Sequence, residues 1–86
     1  MIIFWQLKHG DKIANGWCHN QPAHEAIHAV MYQSGLSTES LKEMNATVSF
    51  RYRNAIDLGT YYFDCDEFYP SSNYDDCPDF LAKIKL

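Results

Sequence analysis

The sequence predicts an α+β fold: an antiparallel sheet of four or five strands with one main helix packed on one face. Three observations carry that expectation. Residues 46–53 alternate, with Val48, Phe50 and Tyr52 set against Thr47, Ser49, Arg51 and Arg53, which is the period of a half-buried strand. Between Asn20 and Gly35, the apolar positions Ala23, Ile27, Val30 and Met31 recur at helical spacing. An aromatic share of 15% lets a few large side chains exclude water from a small interior. At 86 residues the chain lies near the lower limit for an independent core, so residues 1–86 are expected to form a single domain.

Each element follows in order. Residues 2–8 place Ile3, Trp5 and Leu7 at alternate positions and are rich in β-branched and aromatic types, as a first strand requires. His9-Gly10-Asp11-Lys12 supplies turn chemistry, and residues 13–18 return beside that strand, with Gly16 as a weak point or a bulge. Asn20 is placed to cap the main helix and Pro22 fits its first turn. The helix is expected to end near Gln33-Ser34-Gly35, where glycine takes the left-handed geometry of a C-cap. Ser37 or Thr38 then caps a short second helix through Leu41 and Met44 to Asn45.

After the strand at 46–53, a turn is expected over 54–59 and a strand over 60–66. Tyr61, Phe63 and Cys65 should point inward there, with Tyr62, Asp64 and Asp66 outward. Residues 69–78 are polar, contain Pro70 and Pro78, and read as an exposed loop. Phe80, Ala82, Ile84 and Leu86 then fall on one face of a last strand. The predicted order is β-β-α-(short α)-β-β-β.

Residues 1–10 contain neither a basic leader nor a sustained apolar run, so neither a signal peptide nor a membrane span is expected. Cys18, Cys65 and Cys77 are odd in number and lack the dense spacing of a secreted disulfide framework. Reduced thiols and a cytoplasmic location follow as expectations.

His24-Glu25-Ala26-Ile27-His28 resembles the metal-binding motif of zincin metalloproteases, which places two imidazoles one helical turn apart. The resemblance covers these five residues and implies zinc held by His24 and His28, with Glu25 as general base for the metal-bound water. Nothing downstream supplies a third-ligand pattern. The same histidines also fit the solvated shoulder of a helix whose other face carries Ile27 and Met31. Asp64-Cys65-Asp66-Glu67 lacks the glycine and terminal glutamate of a calcium loop. With no phosphate loop, nucleophile elbow or paired-cysteine motif in the chain, an enzymatic role has only the histidine motif behind it. The expected set is no catalytic residue and no cofactor, with zinc in the alternative.

The net charge of −4 is unevenly spread. From Asp57 to Asp79 there are seven acids and no lysine or arginine, so the rest of the chain carries +3. Tyrosines interleave those acids. Rings give contact area at low entropic cost while carboxylates steer a basic partner, so Tyr62, Asp64, Asp66, Glu67, Tyr69, Tyr74, Asp75, Asp76 and Asp79 form the expected partner-binding set. Clustered carboxylates also compete with nucleic-acid phosphates for lysine and arginine sites.

The leading expectation is a non-enzymatic inhibitor that occupies a basic, nucleic-acid-binding site on a larger protein. In size, charge and lack of catalytic motif, the chain resembles the small inhibitors of phages and mobile elements, including anti-CRISPR and anti-restriction proteins, and the immunity proteins of nuclease toxins. The first alternative is a zinc-binding module or small zinc hydrolase. The second is a nucleic-acid-binding module using Arg51, Arg53, Lys83 and Lys85.

Overall fold

A computed structural model describes residues 2–53 and 55–71. The elements run β1 (Ile2–His9), β2 (Lys12–His19), α1 (Ala23–Ser34), α2 (Thr38–Glu43), β3 (Thr47–Tyr52), β4 (Ile56–Tyr62) and β5 (Glu67–Pro70). They form a five-stranded antiparallel sheet in the order β2-β1-β3-β4-β5. This is the α+β architecture and element order that the periodicities predict.

One face of the sheet makes the core. Ile3, Trp5 and Leu7 alternate inward on β1, and Val48, Phe50 and Tyr52 answer them across the β1–β3 pairing. Leu58 from β4, Leu41 from α2, and Ala23, Ala26 and Val30 from α1 join the cluster, with Cys18, Ala46 and Phe63. Small alanines on α1 let the helix approach the sheet closely, while Phe50 and Phe63 are the largest of the fully buried side chains. The opposite face carries Phe4, Gln6, Trp17, Ser49 and Arg51. No described helix is long and apolar enough to cross a membrane.

Several local expectations are corrected. Pro22, not Asn20, is the N-cap of α1, and no side chain caps the helix there. Pro22 instead offers its carbonyl to the N–H groups of Glu25 and Ala26, at 2.9 Å each. The C-cap is Gly35 as expected, with φ 72° and its N–H bonded to the Met31 carbonyl. Ser37 caps α2 by accepting from the Ser40 N–H at 3.2 Å. Gly16 marks no bulge, since it pairs with Trp5 in an unshifted register. A Cβ at Gly16 would run into the Trp5 ring, so the missing side chain is what seats the indole.

The larger corrections fall on β4 and β5. Residues 54–59 read as a turn, yet β4 begins at Ile56. The register slips between Phe50 and Arg51, which pair with Gly59 and Asp57 and leave Leu58 as the extra residue of a bulge. Asp57 stabilises that bulge by accepting the Gly59 N–H at 3.1 Å. Gly59, at φ 136°, lies where a Cβ would sit 2.5 Å from the Tyr69 carbonyl oxygen. The strand stops at Tyr62, so Cys65 lies exposed on a turn rather than inward, while Phe63 is buried as expected. Glu67–Pro70, partly within the expected loop, is the fifth strand of the sheet. Residues 72–78 of that loop and the strand expected from Phe80 to Leu86 lie outside the described residues.

Candidate functional site

The turn from Phe63 to Asp66 joins β4 to β5 and carries the acids. Phe63 anchors it, with a side chain only 1% exposed and an N–H bonded to the Ala46 carbonyl at 3.1 Å. The Phe63 ring meets Tyr61 edge-on, with centroids 4.8 Å apart. Asp66 then takes φ 55°, a left-handed conformation that aspartate tolerates better than most residues and that turns the chain into β5. Asp64, Cys65, Asp66 and Glu67 are consequently all exposed above a fixed base.

Two phenols organise these carboxylates. The Tyr61 hydroxyl donates to Asp66 Oδ1, and the Tyr69 hydroxyl donates to Glu67 Oε2 at 2.8 Å. Burial and then the Asp66 carboxylate push the Tyr61 phenol well above its ordinary value. The bond to Glu67 raises Tyr69 in the same direction. Tyr62 and Tyr69 are 37% and 54% exposed and meet edge-on at 5.1 Å, which leaves two rings available to a partner beside Glu67. Partial desolvation and then the flanking Asp64 and Glu67 hold the Cys65 thiol above its usual range, which disfavours the nucleophilic thiolate.

The structure therefore brings together Tyr62, Asp64, Asp66, Glu67 and Tyr69 from the expected binding set. Tyr74, Asp75, Asp76 and Asp79 lie outside the described residues. Asp57, counted among the acids of this block, serves the bulge instead. Tyr61 was not among the expected binding residues, and the signal that could have found it is its place on the strand running into the acidic turn.

The histidine motif lies on the near side of α1. His24 and His28 are exposed and share an open groove of about 430 Å³ with Ala23 and Ile27 on the helix, facing Tyr61, Asp66, Glu67 and Phe68 from the hairpin. Glu25 is exposed on the same helix but is not among the residues lining the groove. Among the described residues, no three His, Cys, Asp or Glu side chains stand together as a metal site. Cys18, the other thiol near this motif in sequence, is buried and free, and burial raises it.

The basic alternative is divided. Arg51 lines a shallow hollow on the open sheet face with Phe4, Gln6, Asn15 and Ser49, while Arg53 lies over the Tyr52 ring at 5.2 Å. Lys83 and Lys85 lie outside the described residues. Comparisons with protein-family models, curated proteins and solved structures give no significant match.

Proposed function

We propose that this protein is a small acidic binding protein that occupies a basic, nucleic-acid-binding site on a larger protein and blocks it. The observation that carries this reading is the β4–β5 hairpin. Three exposed carboxylates, Asp64 and Asp66 on a turn fixed by buried Phe63 and Glu67 at the start of β5, stand together, and Asp66 and Glu67 are held in place by tyrosine phenols. Such preorganisation lowers the ordering cost of binding, which a merely solubilising charge run does not need. Exposed Tyr62 and Tyr69 add ring surface of the kind that anchors interfaces.

The test is retention of proteins from a nuclease-treated extract by the immobilised chain, beside the variant Asp64→Lys, Asp66→Lys, Glu67→Lys. A basic protein held by the wild type and lost by the variant is expected, and one equivalent of the wild-type chain should then displace that protein from DNA or RNA. Retention unchanged by the triple reversal contradicts the proposal. Near one zinc per purified, tag-free chain, lost on His24→Ala or His28→Ala, would favour the zinc alternative instead.

A further inference from the structure

We propose that the groove between α1 and the β4–β5 hairpin receives one arginine side chain of the basic partner, with Asp66 taking the guanidinium and Ile27 and Phe68 the methylene stem. The inference rests on the partner being basic, as proposed above, and adds which side chain it presents and where.

The lining matches that occupant part by part. Ala23 is buried, and Ile27 and Phe68 are half-buried, so part of the lining is apolar and suits the aliphatic part of a long side chain. Asp66 and Glu67 supply the charge in the lining, and the Glu67 carboxylate already accepts from the Tyr69 hydroxyl. Asp66 Oδ1 is occupied by the Tyr61 hydroxyl, and Tyr61 is in turn braced by Phe63, so the Asp66 carboxylate is oriented before any ligand arrives. The second carboxylate oxygen remains for a charge-assisted bond. Among the described residues, no lysine or arginine lines the groove to compete for that carboxylate.

The facing wall selects between the two basic side chains. His24 and His28, one helical turn apart, both line the groove, so their planar rings are within reach of an occupant. A planar guanidinium stacks on such rings and keeps its edge donors for Asp66, whereas an ammonium is a compact, strongly hydrated point charge that gains little from a flat wall. His24 and His28 therefore serve as the stacking wall of a recognition pocket.

The test uses the full chain in amide and imidazole NMR spectra, titrated near neutral pH with the capped peptide acetyl-Gly-Arg-Gly-amide. Saturable shifts are expected at Ile27, His28, Tyr61 and Phe68. The citrulline peptide, equal in shape but uncharged, should give no saturation, and the lysine peptide should bind more weakly. Asp66→Asn should weaken the arginine peptide about tenfold, while Asp11→Asn, on the exposed β1–β2 turn and outside the groove, should leave it unchanged; well-dispersed spectra verify that both variants are folded. Equal shifts from arginine and citrulline, equal affinity for arginine and lysine, or indifference to Asp66→Asn would each overturn the assignment. If the triple reversal abolishes partner retention while the arginine peptide leaves the groove untouched, the acidic surface stands and the groove assignment falls. Saturation of the groove by the peptide with no basic protein retained would do the opposite.

Discussion

The two hairpins at the edges of the described sheet are built differently. β1 and β2 pair over eight positions without a shift and turn through two residues, and Gln33 of α1 donates to the Trp17 carbonyl at 3.0 Å, covering part of the β2 edge. β4 and β5 pair over four positions, join through a four-residue turn, and follow a bulge at Leu58. The first hairpin gains regular packing. The second gives up length and regularity to lift Asp64, Asp66 and Glu67 above a buried phenylalanine. Bulges and left-handed residues aim side chains, and the second hairpin combines the bulge at Leu58 with left-handed Asp66, whereas the first has left-handed Gly10 in its turn and no bulge.

That contrast can be broken most forcefully at Phe63. Phe63→Ala should cost about 3–5 kcal/mol in denaturant unfolding and should lower partner retention together with stability, because the acidic turn loses its base. A pair of glycine variants sharpens the difference. Gly16→Ala displaces the Trp5 ring and Gly59→Ala meets the Tyr69 backbone, each at about 1–3 kcal/mol. Only Gly59→Ala should also disturb the β5 pairing and the Tyr69–Glu67 bond, so it alone should weaken partner retention under conditions where both variants remain folded.

The smallest expected effect is the part of the alkaline pH dependence that Tyr61 of the second hairpin carries. The folded state holds the Tyr61 phenol above its unfolded value, first through burial and then through Asp66. Its contribution to stability is therefore fully present below about pH 10 and is lost as the pH rises through the folded value. Denaturation midpoints followed into the alkaline range should fall less steeply for Tyr61→Phe than for wild type. Identical slopes would show that folding does not hold the phenol above its unfolded value.

Much of the fold was legible because its signals are local. The alternation at Val48, Phe50 and Tyr52 located β3, and Gly35 marked the end of α1. The misread part was the approach to the site. Asp57 and Gly59 have turn-forming chemistry, yet here they stabilise a bulge inside a strand whose identity depends on pairing with β3. β5 is four residues long, acidic at one end and proline at the other, so neither period nor propensity reveals it. Charge distribution made the acidic block visible in the sequence. The Tyr61–Asp66 contact and the groove against His24 and His28 were not visible, because they arise from the turn geometry and from the packing of α1 beside the hairpin.

The central claim is that the display of these acids, rather than their number, captures a basic partner. The most direct measurement is calorimetric affinity for the retained partner, compared between two triple variants with the same change of charge. One is Asp64→Lys, Asp66→Lys, Glu67→Lys on the hairpin, and the other is Asp11→Lys, Glu39→Lys, Glu43→Lys away from it. The account predicts that the first abolishes binding and that the second leaves the affinity within about fivefold of wild type. Equal loss in both variants would mean that net charge alone governs binding, and would contradict it.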